Sequence, residues 1–367
     1  MRRIVLKRTW PGRRTVRLVF FLSALVAAIQ TVGASVTTED PLFPSAHNAT
    51  PLELDLTLPL RQLLRTKEDE SEEVVGELTL RGVSAMLISE GRTNFTVRVA
   101  PRGKSRRREC RFFPLWLNFK KSQTPDSLFA GQNKIKLVTH CSDKMEPRGY
   151  LAAEMLVYRL YNLLNPASFR VRAVNINYVD SANNKSQRHG GFLIEHKKRL
   201  GKRLGVIESE ATRFRTRETV TPDATLVSLF ELMIGNTDFS LLRGPTADEC
   251  CHNIVPFVTA DGVLLPIPYD FDATGLVNPP YAYPAQVLRI KKVTQRLYRG
   301  YCAQNELLEA QRARLLGAEA ELMALVERFD DLPGLRRDKV RSYLERFFVD
   351  LASDKYVQQR IVKRCRQ

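Results

Sequence analysis

Residues 229–240 read LFELMIGNTDFS, residues 251–257 read CHNIVPF, and residues 266–278 read PIPYDFDATGLVN. Leu229, Leu232, Met233 and Ile234 form an apolar helical run that stops at Gly235, and Asp238 follows it. Val263, Leu264, Leu265 and Ile267 form an apolar strand, and Asp270 and Asp272 follow it. His252 and Asn253 lie between the two. Carboxylates at the ends of apolar elements are held by a rigid scaffold yet reach solvent, which suits the handling of metal-bound phosphates. Asp, Asn and Gly also favour turns, so either acidic cluster alone reads equally as a solvated turn. The ordered set of Asp, then Asn, then Asp-Phe-Asp favours chemistry.

Outward from this region, Thr221-Pro222-Asp223 starts the helix that ends near Gly235, a cap followed by proline in the first turn. Downstream, residues 278–283 are a Pro- and Tyr-rich loop, and 305–329 and 334–352 carry helical apolar stripes before a short terminal helix. Upstream, period-two alternation predicts strands at 52–58, 74–80, 85–88, 95–100, 114–119 and 134–140. Further strands are expected at 169–180 and 190–196, and residues 150–164 form a helix stopped by Asn165-Pro166. Lys67–Glu73 is a charged loop, and RGKSRRR (102–108) reads as an exposed hairpin tip. HKKRLGKRL (196–204) is a basic segment.

Strands, a helix, more strands and then a helical half give an α+β pattern. The layout predicts a two-lobed, atypical protein-kinase-like fold. Its β-rich N-terminal lobe would span 51–195, and a mainly helical C-terminal lobe over 196–367 would carry the acidic site.

The chain has 367 residues and a formal charge of +17. Seven basic residues and no acid precede the run LVFFLSALVAAI at 18–29, which ends near Val32-Gly33-Ala34. That is the form of a signal peptide over 1–34, cleaved after Ala34; an uncleaved anchor is the alternative and would be the only membrane contact. Residues 35–50 read as a linker. Without the leader the charge is +10, which favours anionic partners. Arg and aromatic residues are not interleaved as in nucleic-acid modules, so no nucleic-acid partner is expected. The chain is read as exported, to a periplasm or the extracellular space, or to a secretory lumen in a eukaryote.

All six cysteines lie beyond the leader and none has zinc-site spacing, so disulfides are expected. Cys110 with Cys141 is the best pair. Adjacent Cys250 and Cys251 are expected to take different partners, one of them Cys302.

A phosphotransferase of the kinase plan needs a strand Lys for the phosphates and a helical Glu to hold that Lys. It also needs a carboxylate at the acceptor hydroxyl, and an Asp, usually with Asn, for the metal. Lys136, Glu154, Asp238, Asn253 and Asp270 occur in that order. PLWLNF, LFAGQNKIKLVTH, the helix with Glu154, FRVRAVNINYVD and GGFLIEH, followed by GNTDFS, HN and PIPYDFD, resemble the CotH family of spore-coat protein H-like secreted kinases and, more distantly, HipA-like kinases. The resemblance covers roughly residues 75–280. It implies that Lys136 binds the α- and β-phosphates, with Glu154 as its partner, and that Glu195 lies near the hinge of the nucleotide site. It further implies Asp238 as catalytic base and Asn253 and Asp270 as metal ligands, with Asp272 a further candidate. The chain departs from the family in lacking a Gly-rich phosphate loop and in the long insert Leu241–Cys251. His252 is an alternative to Asn253.

The expected activity is transfer of the ATP γ-phosphate, with Mg²⁺ or Mn²⁺, to a hydroxyl of a protein or small molecule. Two alternatives stay open: a non-catalytic kinase-like scaffold of the cell envelope, and a metal-dependent phosphohydrolase using Asp238, Asp270 and Asp272.

Overall fold

The computed structural model describes residues 40–44, 49–66, 72–82, 91–246 and 248–367, all within one compact unit. The expected leader with its cleavage point, most of the linker, the strand at 85–88 and most of the charged loop at 67–73 lie outside the described residues.

β1 (Leu52–Leu58) sets the topology. Leu52, Leu54, Leu56 and Leu58 are all buried and the residues between them are not, as the two-residue period of a strand requires. β1 pairs antiparallel with β2 (Val74–Arg81). On its other side it pairs parallel with β6 (Val171–Asp180), Leu52 opposite Val174 and Leu58 opposite Asp180. β3 (Asn94–Pro101), β4 (Leu115–Phe119), β5 (Lys134–Thr139) and β7 (Ser186–Ile194) complete a closed ring in the order β1-β2-β3-β4-β5-β7-β6. Every pair except β1–β6 is antiparallel. The barrel interior is aliphatic and aromatic, with Phe95, Phe119 and Phe129 in ring contact at 4.6 to 5.9 Å.

The predicted two-lobed kinase-like fold is therefore not adopted. A kinase-type β lobe is an open sheet, and here the parallel β1–β6 pair closes it. Nor is the later half mainly a helical lobe in isolation. It carries a second sheet, β8 (Ile207–Glu208), β9 (Ile254–Val258) and β10 (Leu264–Pro268), in the order β10-β9-β8. Alternation along a strand shows which face is buried but not which strand lies beside it, so closure was invisible to pattern.

The helices are α1 (Leu60–Arg65), α2 (Lys104–Glu109), α3 (Tyr150–Leu164), α4 (Lys197–Leu204) and α5 (Pro222–Ile234), then α6 (Asn305–Gly317), α7 (Glu319–Arg328) and α8 (Gly334–Ala352). α3 joins the barrel to the rest. It shares one buried core with Val138, Val171, Ala173 and Phe192 of the barrel wall and with Leu229, Phe230 and Met233 of α5. α5 begins where its sequence signal put it: the Thr221 hydroxyl accepts the Ala224 N–H at 3.1 Å. It ends at Gly235, whose φ of 68° is a left-handed value that glycine adopts without steric cost. Among the described residues, no helix is long and apolar enough to cross a membrane.

Three disulfides are present, compatible with an oxidising environment. Cys110–Cys141, as expected, ties the end of α2 to the residues just after β5, with a Cα–Cα distance of 4.6 Å. The pairing of the other four differs from expectation. Cys250 bonds Cys251, and Cys302 bonds Cys365. The reason for the second is backbone pairing of the two segments: Cys302 N–H donates to the Arg366 carbonyl and Arg366 N–H to the Gly300 carbonyl, each at 2.9 Å. The Cys110–Cys141 loop of 31 residues should stabilise the fold by ~3–4 kcal/mol in the chain-entropy description. A Cys110→Ser/Cys141→Ser chain is expected to lose that amount in urea unfolding monitored by circular dichroism; a loss under about 1 kcal/mol would show the bridge to be dispensable.

Candidate active site

The hairpin β9–β10 builds the site. Ile254 lies opposite Pro268, and Tyr269 N–H donates to the Asn253 carbonyl at 3.1 Å. The residue before β9 and those after β10 therefore share one end of the sheet. Asn253 and Asp270 both turn the backbone there with positive φ, 52° and 66°, a conformation that Asn and Asp tolerate better than most residues. The Asp-Phe-Asp segment is anchored by its centre. Phe271 is fully buried against Tyr158 and Phe230, at 4.7 and 5.8 Å between rings. Asp270 N–H donates to the Tyr158 hydroxyl of α3 at 3.0 Å.

Asp238 reaches the same end from α5. Its backbone N–H is held by the Asn236 side chain at 2.8 Å. The insert after it is closed by the Ser240–His252 backbone bridge, at 2.9 and 3.2 Å. This returns the chain to Asp238: His252 Nε2 is 2.8 Å from one carboxylate oxygen, and Asn253 donates to the other at 3.3 Å and to the Asp238 carbonyl at 2.6 Å. Closure of the insert's ends places His252 and Asn253 side by side on Asp238. The hydrogen bond with His252 lowers the Asp238 pKa and raises that of His252. Asp238 is exposed and His252 is at the edge of exposure, so this pair is open to a substrate.

The opposite wall is basic. Lys136 stands across from Trp116 in the β4–β5 register. Its ammonium lies 4.5 Å from the Tyr269 ring and 5.7 Å from the Trp116 ring. Among the described residues it makes no ion pair. Burial, with the nearby positive Arg102, lowers it to about 7, and Asp270 partly opposes them. A cation held by ring faces without an anion of its own is suited to receive one.

Glu154 does not pair with Lys136. It is buried in α3 and bonded to Arg106 at 3.1 Å. Arg106 also donates to the Thr139 carbonyl at 2.9 Å and lies 3.9 Å from Asp272. Asp272 in turn accepts the Tyr281 hydroxyl at 3.2 Å. Burial pushes Glu154 up to about 8, with Arg106 opposing and Asp272 and Asp270 adding. Burial and Asp270 push Asp272 up to about 6, against Arg106. Burial alone would lower the Arg106 pKa, but Tyr281, Glu154, Asp272 and Asp270 raise it above its ordinary value.

Glu195 stands apart from these groups. It is buried, ion-paired with Arg203 at 2.8 Å, and accepts the Arg170 N–H at 3.2 Å; it clamps α4 to the start of β6.

Arg106 was missed because RGKSRRR reads as solvated charge. The segment is instead the helix α2, with Arg106 buried. The available signal was spacing: Arg106 and Cys110 are four apart and share a helical face, and Cys110 is an expected disulfide anchor. Tyr158 and Tyr281 were also missed, one within an apolar helical stripe and the other in a loop. No family model matches the chain, and no curated protein matches it.

Proposed function

We propose that this chain is a metal-dependent phosphotransferase that moves the γ-phosphate of ATP to a hydroxyl of a protein or small molecule. The reading rests on site residues and not on a kinase fold. The observation that carries it is the end of the β9–β10 hairpin: Asp270 follows Tyr269, whose ring holds the Lys136 ammonium at 4.5 Å and whose N–H bonds Asn253, the residue that donates to Asp238. A phosphate cation site, a carboxylate and the Asp238 pair thus gather at one hairpin end. The ordered sequence blocks that resemble the CotH family support the same reading.

The donor set fits a hard divalent cation. Glu154 and Asp272 face one buried arginine, Arg106, at 3.1 and 3.9 Å, Asp270 adds negative charge to both, and oxygen donors suit Mg²⁺ or Mn²⁺. Asp270 and Asp272, with the Asn253 side-chain oxygen, would hold the ion. When bound, it would offset charge on the transferring phosphoryl group. Lys136 would hold nucleotide phosphates, and their charge would restore its full protonation. Asp238, kept ionised by His252, would accept and orient the acceptor hydroxyl.

The pH dependence carries a test. Glu154 and Asp272 titrate in the fold at about 8 and about 6, above the unfolded values near 4. The folded state therefore holds protons that the unfolded state has released. Their contribution to stability is fullest below about 4 and is lost as pH rises toward 8. A cation held by Asp270 and Asp272 offsets the charge that appears as Asp272 ionises, so Mg²⁺ or Mn²⁺ should raise the melting temperature more at pH 8 than at pH 5. ATP added with metal should raise it further, and radiolabelled ATP should label an acceptor. Phosphate release with no labelled acceptor would make the protein a hydrolase. Melting indifferent to metal and ATP at both pH values would leave a scaffold.

A further inference from the structure

Adjacent strands bring two histidines together on the barrel wall. His140 follows β5, and His189 lies in β7. β5 and β7 are antiparallel neighbours with Thr139 opposite Gly191. The two imidazoles stack with centroids 3.7 Å apart and planes 19° apart. Carboxylates stand at both edges of the stack. Glu146 Oε2 is 2.7 Å from His189 Nδ1. On the Nε2 edge, one Asp143 oxygen is 3.6 Å from His140 and 3.8 Å from His189.

Two stacked neutral imidazoles can be simple core filling, and Phe112 does pack on His140 at 4.7 Å. Filling does not explain the polar atoms. His140 Nδ1 and His189 Nε2 are buried and have no hydrogen-bond partner, although buried polar nitrogens nearly always have one. One ligand atom each from His140, His189 and Glu146 lie within 4.8 Å of one another. Ligands of a tetrahedral zinc ion, at ~2.0–2.2 Å from the metal, stand roughly 3.3 Å apart; because the two rings stack face to face, one ring must turn about its side-chain torsion for both to aim a nitrogen at one ion.

We propose that His140, His189 and Glu146 bind a borderline divalent metal ion of the Zn²⁺ class, distinct from the hard-cation site at Asp270. The ligands are one ring nitrogen of each histidine and one Glu146 carboxylate oxygen. Asp143, 3.6 and 3.8 Å from the two Nε2 atoms, is the carboxylate placed to orient a ring by its second N–H. Two imidazoles and one carboxylate leave a fourth position open. His140 and Glu146 line the same small cavity as Arg106, Glu154 and Tyr281. Glu146 also lines a larger cavity of about 180 Å³ beside Gly190 and Gly191, which offers the ion a route from solvent.

The test uses the full chain after chelation and dialysis, titrated with ZnCl₂ and, separately, CoCl₂. An Asp270→Asn background removes the other site from the count. One equivalent of Zn²⁺ should bind, and Co²⁺ should give visible d–d bands of a nitrogen-ligated centre. His189→Gln and Glu146→Gln should each weaken Zn²⁺ binding by ~100-fold or more, since even an orienting partner is worth 10–100-fold. Glu146 is partly exposed, so its variant should fold if that of His189 does not. The proposal is overturned if the parent chain binds no Zn²⁺ and shows no Co²⁺ bands, or if both folded variants bind as it does.

Discussion

Asp238→Asn is expected to slow phosphoryl transfer by ~10²–10⁴-fold, the usual reach of a positioned general base, while nucleotide affinity stays nearly unchanged. The geometry separates the two effects. Asp238 is exposed and held by His252 and Asn253, whereas Lys136 stands on the ring of Tyr269, the residue before Asp270. An amide keeps the hydrogen-bonding shape but cannot take the acceptor proton. Asp270→Asn should do the reverse at the binding step and abolish metal-dependent nucleotide affinity. Nucleotide affinity, single-turnover transfer rate and melting temperature of both variants are the measurements. If both variants only melt earlier, with affinity and rate lost in proportion, these residues hold the fold and do no chemistry. Should the parent chain bind no nucleotide with any divalent metal, the phosphotransferase reading fails.

Arg106→Met should cost ~3–5 kcal/mol at pH 8, because it leaves Glu154 and Asp272 buried without a counter-charge. The cost should shrink at pH 5. Both carboxyls already titrate high, at about 8 and about 6, and the loss of Arg106 moves them higher. At pH 5 they take up protons and the missing charge matters less. Urea melts of parent and variant at the two pH values read this directly, and adding Glu154→Gln to the variant should recover part of the loss at pH 8. Equal costs at pH 5 and pH 8 would mean that Arg106 acts through packing and not as the counter-ion of the acidic cluster.

What could be read from the sequence was local. α5 announced its start with Thr221-Pro222 and its stop with Gly235, and α3 its stop with Asn165-Pro166. Strand alternation found β1 to β7 where these are described. Asp238 and Asn253 hydrogen-bond, and Asp270 follows β10 at the same end of the β9–β10 hairpin; each sits at the end of an apolar element. Partnership was not legible. The parallel pairing of β1 with β6 joins residues more than one hundred positions apart, and no period in the sequence encodes it. The helix–strand pairing of Glu154 with Lys136 presumed an open sheet; in the barrel, α2 inserts Arg106 at Glu154 instead. A charged run such as RGKSRRR looks solvated until a disulfide and a helical turn bury one of its arginines.

β1 is the seam of the barrel, and a seam has two sides. Every other strand can be imagined as one step in a chain of local hairpins and crossovers, but β1 alone holds β2 and β6 together. A cut or displacement before residue 59 would therefore bare two backbone edges at once, each a ready template for another strand. The leucines that β1 contributes would leave the barrel interior with it. The integrity of the whole β half thus depends on its earliest described strand staying paired with one that is synthesised much later. Until β6 is made, β1 has only half of its bonding partners, and the growing chain must keep that strand from finding others.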